Sequence, residues 1–259
     1  MVSRSKLAAL LWGAAMVLLT VLVSGGVARA ITYGQPDGNR HPNVGALVGT
    51  FDGQTYPYCS GTLISPTVFL TAAHCGDDGS TVSVTFDSTY TSKSKLYTGT
   101  FYSNDQYPGS QNDPYDIAVV VFDKPIRGIE PARLPTLGQF DGVAKDQRFT
   151  AVGYGGQEAV NRPGGPVIGY LDTREYAVST LNAIGPSYLR LSQNPATGNG
   201  GTCYGDSGGP NFLGAGSDET DIIAGITITG DALCKSTNVI YRLDTESARD
   251  FLGEYVSLP

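Results

Sequence analysis

The chain has 259 residues and is acidic, with 24 Asp and Glu against 17 Lys and Arg, two histidines and a formal net charge of −7. A balance of that sign excludes the basic footprint of a nucleic-acid binder and suits a soluble protein that resists self-association. Thirty-four glycines and fifteen prolines exclude a framework of long helices, and no repeat, heptad or low-complexity stretch is present.

The predicted elements begin with a leader. Arg4 and Lys6 precede an apolar run over 7–23, and Ala28-Arg29-Ala30 supplies a small-x-small cleavage site, so residues 1–30 read as a secretory signal peptide. Seventeen apolar residues also stand at the lower limit for a membrane span, which leaves a retained anchor as the alternative. Cleavage after Ala30 leaves 229 residues starting Ile31-Thr32-Tyr33-Gly34. It removes Arg4, Lys6 and Arg29 and no acid, so 14 basic groups face 24 acidic ones and the net charge becomes −10. The expected mature protein, 31–259, is secreted, monomeric and free of the membrane. Short β-like runs follow over 44–51, 61–70, 81–86, 117–122, 148–152, 167–178, 188–191, 222–229 and 239–243, with Gly, Pro, Asn and Asp in the gaps. The fold class is therefore all-β. At the end, Asp244 or Thr245 caps a helix over about 244–257, whose Ala248, Phe251, Leu252, Tyr255 and Val256 form one apolar face.

The chemistry-bearing motifs lie between these runs. Gly201-Thr202-Cys203-Tyr204-Gly205-Asp206-Ser207-Gly208-Gly209 places one serine among uncovered backbone amides, so a substrate can approach the N–H groups of Gly205 and Ser207 as an oxyanion hole requires. Upstream stand Thr71-Ala72-Ala73-His74-Cys75 and Asp116-Ile117-Ala118-Val119-Val120. A serine hydroxyl needs a base, and the base needs an orienting carboxylate. The order His74, Asp116, Ser207, with separations of 42 and 91 residues, excludes an α/β-hydrolase, because neither His41 nor His74 follows Ser207. A subtilisin-like order would use Asp37 or Asp52, and neither sits in an apolar strand-like setting. Asp113 remains the alternative to Asp116. Four cysteines in an exported chain suggest two disulfides, with three pairings open. No C-x-x-C spacing occurs and 88–113 carries no calcium-loop cluster, so no metal is expected.

In these motifs the chain resembles the chymotrypsin/trypsin-like serine peptidases, and the likeness runs over nearly the whole mature sequence. The resemblance implies two six-stranded antiparallel β-barrels, about 31–133 and about 134–243, joined near 131–137, with the active site in the crevice between them and a C-terminal helix against a barrel. It implies a serine endopeptidase acting on polypeptide substrates through an acyl-enzyme, with no cofactor. His74 is then the general base, Asp116 its orienting partner and Ser207 the nucleophile. The family's bridges correspond to Cys59 with Cys75 and Cys203 with Cys234. Asp206 takes the role of counter-ion to the new ammonium of Ile31, which signal cleavage itself would free without a separate propeptide.

Specificity departs from the better-known members. The family's pocket floor falls at Gly201, beside Thr202, so the acid that selects Lys or Arg is absent. On one wall Ile228, Thr229 and Gly230 stand where the family carries Ser-Trp-Gly, and the opposite wall aligns near Val239. A neutral pocket of this kind predicts cleavage after small or medium apolar residues, unless Asp231 reaches it and restores basic preference. The lost serine and tryptophan leave a second reading, a catalytically weak or inactive relative that binds through the inherited crevice.

Overall fold

The computed structural model describes residues 31–110 and 114–259. The leader, its cleavage site and Asp113 lie outside the described residues. The strand β1 (Gln35–Pro36) belongs to an N-terminal strap that precedes the first barrel. That barrel comprises β2 (Val44–Phe51), β3 (Gln54–Ser65), β4 (Val68–Thr71), β5 (Thr81–Thr85), β6 (Tyr97–Ser103) and β7 (Ala118–Phe122), closed in the order β2-β3-β4-β7-β6-β5. All its pairings are antiparallel. Closure leaves no strand edge open.

The second barrel is built from β8 (Arg148–Gly153), β11 (Glu175–Ile184), β12 (Tyr188–Ser192), β13 (Pro210–Leu213), β14 (Ile223–Gly230) and β15 (Thr237–Arg242). Pairing of β11 with β8 closes the ring β11-β12-β15-β14-β13-β8, and β1 adds to β11 from outside. Between them, β9 (Val160–Arg162) and β10 (Gly165–Val167) form a separate two-stranded hairpin. The fold is thus two six-stranded antiparallel barrels with one C-terminal helix, as the sequence implies. No helix among the described residues is long and apolar enough to cross a membrane.

Each barrel is filled by its inward-facing side chains. Phe69, Phe86 and Phe122 meet in the first, with ring centroids 5.7 to 6.4 Å apart. Gly61 makes room for them, because a Cβ there would run into the Phe69 ring and the Leu70 carbonyl. Phe149, Leu181, Leu189, Leu191 and Ile240 form the second core. The helix α1 (Glu246–Leu252) is capped by Thr245, whose hydroxyl accepts from the Ala248 N–H at 3.4 Å, and it buries Ala248, Phe251 and Leu252.

Three expectations change. The run 61–70 is two strands, because Pro66 and Thr67 turn the chain back so that Leu63 faces Phe69; both arms are buried, so no polar alternation marks the break. The run 167–178 contains a strand only from Glu175, and Val167 instead pairs with Val160 in the exposed hairpin. The helix stops at Leu252 rather than near 257, and Tyr255 still packs on Phe251 at 5.2 Å from the turn that follows. Strands β1, β6, β9 and β13, and all of β10 but Val167, lie outside the runs read from the sequence.

Candidate active site

Strand register creates the first half of the site. Thr71 of β4 pairs with Ala118 of β7, so the residues just past one and just before the other emerge at the same end of the barrel. His74 lies there on a single 3-10 turn, Ala73–Cys75, and Asp116 opposite it is fully buried. Asp116 Oδ1 accepts the His74 backbone N–H at 3.0 Å, and Oδ2 lies 2.7 Å from His74 Nδ1. Nε2 is buried and makes no hydrogen bond among the described residues.

The second half is the loop carrying Ser207. The Ser207 carbonyl accepts from the Ser60 N–H at 2.9 Å and lies 3.8 Å from the Cys75 sulfur, which presses the loop against the turn that bears His74. Gly208 adopts φ +77, and a Cβ there would collide with Thr71 Oγ1 and the Ala72 nitrogen. Gly205 adopts φ +95. Both positions need glycine, one for close approach and both for positive φ. Neither the Gly205 nor the Ser207 amide donates to another described residue.

Asp206 points away from the crevice into the protein. Its carboxylate accepts from the Gly155 N–H and the Cys203 N–H, both at 2.8 Å. Gly153 and Gly155 form its bed, since a Cβ at either would strike the carboxylate. Burial raises its pKa to about 7, and buried Glu175 adds to the rise against the two backbone donors. Ile31 is fully buried, and Thr32 exchanges two 3.0 Å hydrogen bonds with Gly201, which seats the strap behind the same loop.

A cavity of about 200 Å³ opens beside Ser207, lined by Thr202, Tyr204, Ile228, Thr229, Gly230 and Asp231 among others. Thr202 and Gly230 of the sequence-derived pocket therefore line it. Gly201 and Val239 do not. Gly201 packs on buried Gln193, whose side chain occupies the space of a Cβ, and Val239 lies across the ladder from Thr229. Asp231 turns its carboxylate to its own loop, accepting from the N–H groups of Lys235, Ser236 and Thr237 at 3.1, 2.7 and 2.8 Å. Its pKa is lowered, because those hydrogen bonds outweigh burial.

Disulfides join Cys59 to Cys75 and Cys203 to Cys234, one beside His74 and one bracing the Ser207 loop against the pocket wall. Ligand-capable atoms of Cys59, His74 and Cys75 lie close together, but both sulfurs are committed to the bridge. Sequence reasoning missed the Gly153 and Gly155 bed and the support of Gly201 by Gln193. The alternation Gly153-Tyr154-Gly155 at a strand end was the available signal for the first.

The profile of the Trypsin family matches residues 36–249, and the chain belongs to that family of serine proteases. It is 26% identical over 200 residues to a chymotrypsin from Phaedon cochleariae, an alignment that covers 73% of this chain and 69% of that protein.

Proposed function

We propose that the protein is a secreted serine endopeptidase in which Ser207, His74 and Asp116 form the catalytic triad. The observation that carries this reading is the double hold of Asp116 on His74, which leaves Nε2 unpaired beside the Ser207 loop. Nε2 takes the Ser207 proton as Oγ attacks the scissile carbonyl, and Asp116 stabilises the imidazolium. The N–H groups of Gly205 and Ser207 receive the developing oxyanion. His74 then gives its proton to the leaving amine, and water repeats the sequence on the acyl-enzyme.

Signal cleavage after Ala30 frees the Ile31 ammonium to pair with Asp206 and order the loop. Asp231 is the one charged residue in the cavity lining and its carboxylate is taken up by its own loop, so the cavity favours small or medium apolar side chains before the scissile bond, where a lysine or arginine head would lose hydration without a free partner. Thr202 and Gly230 contact that side chain, while Gly201 and Val239 support the walls. The substrates are polypeptides and the working form is a monomer. Hydrolysis of a peptide library by the mature protein and by Ser207→Ala tests the reading: cleavage after Ala, Val or Leu in the first and its loss in the second are expected, and equal cleavage by both would refute it.

A further inference from the structure

Away from the crevice, an unused group of buried charges lies where the strap crosses both barrels. His41 is buried between two carboxylates from distant parts of the chain. Its Nδ1 meets Asp37 Oδ1 in the strap, and its Nε2 lies 2.8 Å from Glu219 Oε1 on the turn between β13 and β14. Phe212 of β13 stacks on the ring at 5.3 Å, and Tyr176 of β11 tilts against it at 6.2 Å.

Asp37 is buried as well, and its second oxygen accepts from Arg174 Nε at 2.8 Å. The fully buried Arg174 also donates to the carbonyls of Val44 and Phe86, at 2.8 and 3.1 Å, and to the Tyr154 hydroxyl at 3.2 Å, so it ties both barrels to the strap. Arg40 lies 3.5 Å from Glu219 Oε2 and 4.3 Å above the Tyr176 ring. A second cavity, lined by Arg40, His41 and Glu219, also brings in Glu130 and Asp221, with Asp221 engaged by Arg133.

The chemistry of imidazole fixes the charge of this group. A neutral ring has one N–H and one lone pair, whereas the imidazolium donates from both nitrogens, and ionised carboxylates only accept. Burial opposes ionisation of all three groups, yet their mutual hydrogen bonds and charges outweigh it, with Arg174 helping at Asp37 and Thr150 and Arg40 at Glu219: Asp37 and Glu219 are held below the ordinary carboxylate range and His41 is raised above 6.5.

We propose that Asp37, His41 and Glu219 form a proton-operated clasp that positions the N-terminal strap. With His41 protonated the clasp is closed, and the strap is held against β11 by the Asp37 N–H to Arg174 carbonyl bond and against the pocket base by Thr32 and Gly201. When the proton leaves, a lone pair faces a buried carboxylate and the strap loosens. His41 is a positioning residue, acting on the reaction through the strap and the Asp206 loop. Only this last effect rests on the peptidase reading. The clasp's contribution is complete below 6.5 and is lost as pH rises through the raised value, each unit of elevation corresponding to about a tenfold change in the folding equilibrium.

The mature protein offers two histidines, so nitrogen-15 NMR resolves His41 directly, with His74→Ala supplying the assignment. Both His41 nitrogens should be protonated at pH 6.5, and the ring should titrate above that value. Hydrogen exchange of residues 31–44, corrected for the intrinsic pH effect, should lose protection as the ring deprotonates, by about tenfold for each unit by which the NMR titration lies above 6.5. In Glu219→Gln, which keeps an acceptor without the charge, the titration, the loss of protection and the alkaline arm of kcat/KM on a peptide amide should all move to lower pH together. A neutral ring at pH 6.5, or strap protection that ignores pH in both proteins, would overturn the clasp. Absence of peptide hydrolysis alone would count against the proposed function, while the NMR and exchange results would still decide the clasp.

Discussion

Asp116 grips His74 at two points, the backbone N–H at 3.0 Å and the ring Nδ1 at 2.7 Å. The first contact fixes the turn and the second fixes the tautomer, so the lone pair of a neutral ring falls on Nε2. Asp116→Asn would present an N–H to Nδ1 and hold the ring in the wrong tautomer. We expect kcat to fall about 10⁴-fold with the fold intact, by analogy with the same change in a serine protease triad. Steady-state kinetics and a melting curve check this, and a loss under about tenfold would mean that the ring needs no acceptor.

The bed beneath Asp206 gives a second expectation. A methyl at Gly155 collides with the carboxylate, so Gly155→Ala must displace Asp206 or its loop. Overpacking of this kind costs about 1–3 kcal/mol. Denaturant unfolding should register that cost, and active-site titration should show a reduced competent fraction. Full competence at unchanged stability would mean that the bed is dispensable.

The charge state of Asp206 gives a third. With its pKa raised to about 7 by burial, the carboxyl stabilises the fold fully below its ordinary value near 3.8, and that contribution is lost as pH rises towards 7 unless a cation arrives. The Ile31 ammonium is the proposed cation. A variant with one residue added before Ile31 should therefore lose stability between pH 4 and 7, whereas the mature form should hold. In the mature form this pairing should weaken only at alkaline pH, where the ammonium, itself raised above about 8 by its partner, loses its proton, separately from the loss that His41 contributes. Parallel melts across pH distinguish the two, and coincident curves would remove the pairing.

Asp231 tests the pocket. Its carboxylate serves three backbone N–H groups of its own loop, so Asp231→Ala should cost about 1–3 kcal/mol through unpaired donors. The preference for apolar residues over Lys and Arg should persist in a peptide-library profile. If the wild-type protein cleaves after Lys or Arg and this variant does not, the acid reaches the substrate after all.

The legible parts of the molecule were those with local signatures. Strand 44–51 coincides with β2, because its turn residues and apolar run are unambiguous. The motifs around His74, Asp116 and Ser207 were visible because glycines and a rare histidine mark them. What failed was set by partners far along the chain. The break at Pro66 lies inside an apolar stretch buried on both arms, and β6 carries Gly99 because Val120 and Val121 pack against it. Asp37 and His41 stand four residues apart, yet nothing near them announces Glu219, 178 residues away. Asp231, named in the sequence only as the alternative to a neutral pocket, does line the cavity, and only the fold shows that its carboxylate is taken up by the N–H groups of its own loop.

The central claim is that Ser207 is a nucleophile activated by His74. Labelling with a fluorophosphonate, followed by peptide mapping, tests it most directly. The mature protein should take up one label, on Ser207, and His74→Ala should label at least about a hundredfold more slowly, the lower bound of what a positioned general base contributes. No label on Ser207, or equal labelling rates in the two proteins, would contradict the account.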